Sequence, residues 1–300
     1  MAPEIAYFRG ELIPADRLAV PVYDAGFVLG ATVTEQLRTF RGELYRWRDH
    51  LARFRHSLKI VGIEIAESDE RLTEIATELT LRNFSLLPAG GELGLAMWAT
   101  PGPFAAMAPP DYLGPTLCLH THPAPLASYA HAYLHGQRLV TATNRQVSPA
   151  CWPRELKCRS RMHYYLADAA ANRRYPGARA IMLDEDGAAL EATTANLLLY
   201  FQGEGLVSPP TADVLPGISV MTVRDLAASL AIPMSERRLT RDDVRAADEV
   251  LLAGTTPCLL PCVTLDDERI GGGRPGPIFQ RLIAAWGEAV GVDIVGQATA

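Results

Sequence analysis

Lysine is nearly missing from this chain. Of 28 basic residues only Lys59 and Lys157 are lysines, and the rest are arginines. Positive charge is not in excess either, because 34 acidic residues leave a formal net charge of −6. No short window is basic without acids interspersed, so a nucleic-acid backbone is not the expected partner. Nor does any apolar run approach the roughly 18 residues of a membrane span. The start, MAPEIAYFRGE, lacks the basic segment and apolar core of a secretion signal, which makes the cytoplasm the expected compartment. Cysteine is sparse and irregular: Cys118, Cys151, Cys158, Cys258 and Cys262 are odd in number, which argues against a disulfide framework. The CLLPC segment is one residue longer than a CxxC pair and has no second pair to complete a zinc site. His120, His122, His131 and His135 lie in a Pro- and Ala-rich region without carboxylates at ligand offsets, so no metal is expected.

What is present suits a globular protein. The 300 residues are 48% hydrophobic, enough for one large or two medium domains. IAYF and ELIP flank Arg9-Gly10, and LRTF and ELYRW flank Arg41-Gly42, so the chain opens on two hairpins. A helix is predicted from about Asp49 to Val61, and a second after Ser68, with Leu72, Ile75 and Leu79 on one stripe. Strands GELGLAMWAT and PTLCLHTH follow, separated by a loop rich in proline and glycine. A small α/β domain over 1–125, a linker over 126–136 and a larger domain over 137–300 are the expected organisation. Within the larger domain the pattern predicts a helix from about Ser160 to Arg174. Strands RAIMLDE and ALEATTANLLLYF should meet at Asp186-Gly187. Helix LPGISVMTVRDLAASL, a capping box at Thr240 and Asp243, buried strand DEVLLAGT and closing helix PIFQRLIAAWGEAV complete it.

The two lysines differ in setting. Lys59 belongs to the polar face of an amphipathic helix. Lys157, in WPRELKCRSRMHYYLADAA, sits among Arg154, Arg159 and Arg161, and neighbouring cations favour a neutral, nucleophilic amine. It suits a Schiff-base lysine, or else a surface lysine at a helix start. An aldehyde cofactor there would need an anion site for its phosphate and an acid facing its ring nitrogen. Gly217, Ile218 and Ser219 open a helix whose free N–H groups favour a phosphate, unless this is an ordinary helix start. Thr255 and Thr256 add hydroxyls in LLAGTTPC, and Arg53 of HLARF adds a charge, or is one more helix arginine. Glu191 lies in an otherwise small and apolar strand, where a carboxylate needs a partner, either a protonated ring nitrogen or an arginine.

Six segments occur in register: YDAGFVLGATVTEQLRTF, HLARF, the Lys157 segment, LEATTANLLLY, LPGIS and LLAGTTPCLLPCVTLDDERIGGGRPGP. Together they resemble the class IV, or fold-type IV, pyridoxal-phosphate aminotransferases, the group of branched-chain aminotransferase, D-amino acid aminotransferase and 4-amino-4-deoxychorismate lyase. The resemblance implies an α+β or α/β two-domain fold with a small N-terminal domain and a larger, cofactor-binding pseudobarrel domain. It implies pyridoxal 5′-phosphate as cofactor and a homodimer. Lys157 would be the Schiff-base lysine and proton shuttle, and Glu191 the partner of the ring nitrogen. Arg53, Gly217, Ile218, Ser219, Thr255 and Thr256 would surround the phosphate. Ping-pong transfer of an amino group between an amino acid and a 2-keto acid would follow, with branched-chain-like substrates preferred.

The chain departs from the family pattern at several places. Met162 stands where branched-chain enzymes have a tyrosine, and Tyr164 lies about half a helical turn away from that position. Leu29, Ala31 and Thr34 replace family residues in the first segment, so Leu29 and Thr34 are candidates for a reshaped substrate pocket. Thr100-Pro101-Gly102 replaces the TRG of D-amino acid enzymes, and Glu35 stands where the lyase has a threonine. Glu35 and Arg38 are expected to form a local pair, while Arg38 and Arg145 are candidates for the substrate carboxylate. The competing expectations are elimination of pyruvate from aminodeoxychorismate and a cofactor-binding, non-catalytic homologue.

Overall fold

The computed structural model describes residues 3–300, and its contacts divide the chain into two units. One runs to Ala124 and takes in Leu156–Ser160; the other comprises Pro125–Glu155 and Arg161–Ala300.

The first unit is a six-stranded antiparallel sheet. Its strands are β1 (Ile5–Phe8), β2 (Glu11–Pro14), β3 (Val33–Phe40), β4 (Glu43–Leu44), β5 (Leu93–Thr100) and β6 (Thr116–Pro123), in the order β2-β1-β6-β5-β3-β4. Arg9 and Gly10 join β1 to β2 with φ of 49° and 95°, and Arg41 and Gly42 join β3 to β4 with 55° and 81°. Positive φ at both central residues is the mark of a type I′ hairpin turn, whose twist matches that of the strands. Between β2 and β3 lies the short α1 (Ala25–Val28), capped by Asp24, whose side chain accepts from the Gly26 N–H. Two longer helices, α2 (Trp47–Val61) and α3 (Asp69–Phe84), pack on the sheet, and α3 starts at Ser68, whose hydroxyl accepts from the Arg71 N–H. Phe54 and Leu58 of α2 and Leu72, Ile75 and Leu79 of α3 share a core with Val33, Leu37, Leu95, Met97 and Leu119 of the sheet. Lys59 is exposed on α2, the solvated position its helical spacing predicts.

The second unit is built on a closed barrel. Its first elements are α4 (Ala130–His135), β7 (Gln137–Thr141), α5 (Met162–Arg174), β8 (Arg179–Leu183), β9 (Ala188–Ala192) and β10 (Ala195–Phe201). Then come β11 (Gly205–Ser208), α6 (Ile218–Ser229), β12 (Met234–Glu236), β13 (Leu239–Thr240) and α7 (Arg241–Ala246). The chain ends with β14 (Glu249–Gly254), β15 (Cys258–Leu265), β16 (Glu268–Arg269), α8 (Pro277–Val290) and α9 (Ile294–Thr299). Strands pair in the order β10-β14-β15-β7-β8-β9, and β9 pairs back to β10, which closes a six-stranded ring. The β15–β7 and β7–β8 pairs are parallel and the other four antiparallel, so the barrel is mixed. The capping box is present at α7, where Thr240 and Asp243 satisfy each other's backbone N–H. The start of α8 is capped from β14, because the Glu249 carboxylate accepts from the Ile278 and Phe279 N–H groups at 2.8 and 2.9 Å.

Three expectations give way here. The segment over 126–136 is not a bare linker: it forms a 3-10 turn (Leu126–Tyr129) and α4, whose Tyr133 is buried and donates to the Pro257 carbonyl at 2.6 Å. Lys157 falls within Leu156–Ser160, which joins the first unit rather than the span 137–300; Leu156 packs on the first unit's core, and the Lys157 N–H donates to Ser57 Oγ at 3.2 Å. ALEATTANLLLYF is two strands, because the chain reverses at Thr193-Thr194, where Thr194 has φ of 65°. Among the described residues no helix is long and apolar enough to cross a membrane, and no group of three or more His, Cys, Asp or Glu is placed to hold a metal.

Buried Asn83 ties α3 to the sheet. Its Nδ2 donates to Ile5 O at 2.7 Å and to Thr121 Oγ1 at 2.8 Å, and its Oδ1 accepts from Ile5 N at 3.0 Å. Asn83→Ala should cost about 2–3 kcal/mol through the β1 and β6 groups left unpaired, read as a lowered denaturant midpoint at unchanged m-value.

Candidate active site

Side chains alternate along a strand, so Val33, Glu35 and Leu37 of β3 share one face while Thr34, Gln36 and Arg38 share the other. Glu35 therefore faces α2 from within an apolar layer and is fully buried. Its carboxylate receives a two-pronged bond from Arg53, Nε to Oε2 at 2.9 Å and Nη2 to Oε1 at 2.7 Å. His50 Nδ1 lies 3.1 Å from Oε1. Burial alone pushes this carboxyl up; the Arg53 charge, the His50 and Arg53 hydrogen bonds and the charge of Lys157 overcome it and hold the group well below the usual carboxylate range. The same burial holds His50 below its ordinary value despite its acidic neighbour, which favours the neutral imidazole.

The expected Glu35–Arg38 pair is not formed. Three residues apart on a strand, the two side chains emerge on opposite faces. Arg38 is buried, donates Nε to the Thr39 carbonyl at 3.1 Å and lies over the Phe40 ring at 4.1 Å. Arg145 is exposed, as is Leu29 at the end of α1, whereas Thr34 is buried with its N–H on the Lys157 carbonyl at 3.0 Å. Arg53, expected near a phosphate, spends Nε and one Nη2 bond on Glu35, a partner that sequence reasoning did not give it.

In the second unit, β9 pairs with β8 and β10, so Glu191 stands opposite Met182 and Asn196 on a strand buried throughout. Its Oε1 accepts from the Tyr164 hydroxyl at 2.6 Å and from Gln146 Nε2 at 2.5 Å, and Gln146 Nε2 lies 2.8 Å from the Tyr164 oxygen. The Leu215 backbone and the Arg154 charge both act to lower the carboxyl. Burial nonetheless keeps the Glu191 carboxyl above its ordinary value, the reverse of Glu35. Neutral donors ease a buried negative charge less than a guanidinium does. Arg154 Nη1 is itself buried and makes no hydrogen bond among the described residues.

Asn196 connects Glu191's strand to the start of α6. Its Nδ2 donates to Leu215 O at 2.9 Å, and a Cβ on Gly217 would sit 1.9 Å from Asn196 Oδ1, so only glycine fits there. Gly217 is the N-cap of α6, with no side-chain cap, followed by buried Ile218 and half-exposed Ser219. Thr255 and Thr256 form the half-exposed turn between β14 and β15. A buried carboxyl held by neutral donors suits a cationic ring nitrogen, and an uncapped helix start suits a phosphate. The residues of the second unit thus fit pyridoxal phosphate. Gln146 and Tyr164 were missed as Glu191's partners, although the isolated acid in an apolar strand signalled that some partner was needed.

Glu35→Gln should destabilise the chain by about 3 kcal/mol at pH 7, since it strands a buried guanidinium. Because the folded-state carboxyl is depressed, its contribution is present above the ordinary value of 4.5 and fades as pH falls below it. Urea titrations from pH 7 to 3 should therefore show a steeper loss for the wild type than for the variant.

Residues 32–265 match the family described as amino-transferase class IV. The chain is 28% identical over 284 residues to branched-chain-amino-acid aminotransferase-like protein 1 of Arabidopsis thaliana, covering 94% of this chain and 50% of that protein. It thus spans about half the length of that relative. D-alanine aminotransferase of Bacillus licheniformis is 27% identical over 285 residues, covering 93% of this chain and 94% of the relative. The solved structure of a T.th. branched-chain amino acid aminotransferase complexed with N-(5′-phosphopyridoxyl)-L-glutamate superposes with a TM-score of 0.82 at 24% identity, covering 98% of this chain and 95% of that one. With the family match spanning most of its length and the same fold, an antiparallel-sheet unit followed by a six-stranded mixed barrel, the chain belongs to the class IV aminotransferases.

Proposed function

We propose that this protein is a pyridoxal-phosphate-dependent transaminase that moves an amino group between an amino acid, of branched-chain type by preference, and a 2-keto acid. The observation that carries the proposal is Glu191: a buried carboxyl, raised above its ordinary value, with two neutral side-chain donors in place of the guanidinium that pairs Glu35. A cationic ring nitrogen is the partner such a group lacks.

When bound, the cofactor supplies an electron sink for the pair released as the substrate's α-carbon loses its proton. Lys157 has the roles of carrying the cofactor through its side-chain nitrogen and, once displaced by the donor amine, of moving that proton. Glu191 stabilises positive charge on the ring nitrogen. The backbone N–H groups of Ile218 and Ser219 at the α6 start, with the Thr255 and Thr256 hydroxyls, hold the phosphate. Arg53 acts from its Glu35 fork, which fixes the guanidinium. A second copy of the chain completes the assembly. Val22, Phe27, Leu29 and Leu113 are 66, 71, 62 and 72% exposed, large apolar side chains of the kind that self-association covers.

The test is spectroscopic. Purified protein mixed with pyridoxal phosphate should absorb in the visible, and an L-amino acid donor without acceptor should convert it to the pyridoxamine form. A protein that takes up no pyridoxal phosphate, or that no L- or D-amino acid or amine bleaches, overturns the transaminase reading. Lys157→Ala should abolish turnover, and Glu191→Gln should slow proton abstraction by roughly two or more orders of magnitude while leaving the unfolding midpoint unaltered. Wild-type rates in either variant remove that residue from the mechanism.

A further inference from the structure

The side-chain hydrogen bonds of Glu191 come from two neutral groups, the Tyr164 hydroxyl and the Gln146 amide, and both donors are themselves held in place. Gln146 is buried; its N–H donates to Leu183 O at 2.9 Å, and its Oε1 accepts from the Val147 N–H at 2.9 Å. That second bond fixes which way the amide faces and turns Nε2 toward Glu191 and Tyr164. Tyr164, on the first turns of α5, packs against the cluster of Val140, Ala167, Ala171 and Met182. Its ring lies 4.1 Å from that of His163, which is anchored in turn by a bond from Asn144 Nδ2 to its backbone carbonyl at 2.9 Å. A phenol so placed beside a carboxyl stays protonated and can only donate to it.

We propose that Tyr164, oriented by Gln146, is a positioning residue that holds Glu191 in the charged state able to face a cationic ring nitrogen. The inference rests on the function proposed above. Oε1 takes both side-chain donors, so the two bonds favour the carboxylate over the acid and fix the plane in which it lies. Arg154 adds a cationic charge acting on the same group. The arrangement places the tuning on Tyr164, two residues beyond Met162, where branched-chain enzymes carry the tyrosine of this segment.

The experiment compares the affinities of two ligands, pyridoxal phosphate and its 1-deaza analogue, in which carbon replaces the ring nitrogen. The analogue presents no cation, so the carboxyl gains no charge partner from it, and losing a donor that orients that carboxyl changes its affinity little. Tyr164→Phe should raise the Kd of pyridoxal phosphate about tenfold and that of the analogue less than about twofold, measured by fluorescence titration of the full-length apoprotein. Gln146→Leu should discriminate in the same direction, and it carries the test if Tyr164→Phe does not fold. Equal losses for both ligands would make the pair a packing device and overturn the proposal, as would no loss for either. Glu191→Gln is the control for the premise: if it fails to distinguish the ligands, the assignment of Glu191 to the ring nitrogen falls. If it distinguishes them and the Tyr164 and Gln146 variants do not, only the present inference falls.

Discussion

Closure of the barrel at Thr193-Thr194 is the constraint on which the second unit's chemistry depends. The reversal needs a left-handed residue, and Thr194, β-branched, adopts one at φ 65°, a conformation with an inherent cost. Neighbouring bonds hold it there. Asp168 of α5 accepts from Thr193 Oγ1 at 2.7 Å and from the Ala180 N–H at 3.1 Å, and Arg179 Nη2 reaches Thr194 Oγ1 at 2.7 Å. With the turn fixed, β9 and β10 pair and Glu191 stands opposite Asn196. Asn196 in turn bonds the Leu215 carbonyl, which ties the acid's neighbour strand to the α6 start. A turn remote from any ligand thereby fixes the carboxyl and the helix start relative to each other.

Glu35 and Glu191 show how the burial of a carboxyl is resolved in opposite ways. Glu35 has a forked guanidinium and a histidine, so it is a charge in the native state and a structural one. Glu191 is surrounded by a phenol, an amide and a backbone N–H, groups that orient a carboxylate without neutralising it. A carboxylate already matched by a forked guanidinium has no unmet charge of its own to offer a ligand. The unmatched one is where binding energy remains available, and its raised carboxyl is the electrostatic expression of that deficit.

Local chemistry was readable wherever a residue type forces a backbone shape. The Arg-Gly turns, the Ser68 start of α3 and the Thr240–Asp243 capping box all follow from positive φ or from unsatisfied helix N–H groups. The Thr193-Thr194 reversal was not readable, because threonine is a strand former and no glycine, proline or asparagine punctuates the chain between Glu191 and Ala195. Its cause is tertiary, in Asp168 and Arg179. The Glu35–Arg38 pairing failed for the opposite reason: strand alternation alone sends the two side chains to opposite faces, and spacing suggested a helix-like neighbour relation that a strand forbids. The helical content of 126–136 was hidden by Pro123 and Pro125, which precede the segment and lie ahead of α4 rather than inside it.

Among the site residues, legibility tracked whether the partner lies nearby in sequence. Lys157 stood out by scarcity and Glu191 by its apolar strand, but nothing in either segment names Gln146, 45 residues before Glu191, or Tyr164, 27 residues before it. Their bonds exist because β9 lies between β8 and β10 while Gln146 is fixed to the end of β8 through its N–H on Leu183 O. The first turns of α5 then bring Tyr164 to the same oxygen. Helical geometry turns position 164 roughly 200° from position 162, so a tyrosine at one cannot replace a tyrosine at the other for the same contact. Met162 is 69% exposed, and the hydroxyl at 164 instead serves the carboxyl, which makes the departure from the family pattern at Met162 a change in which group the tyrosine addresses rather than a simple loss.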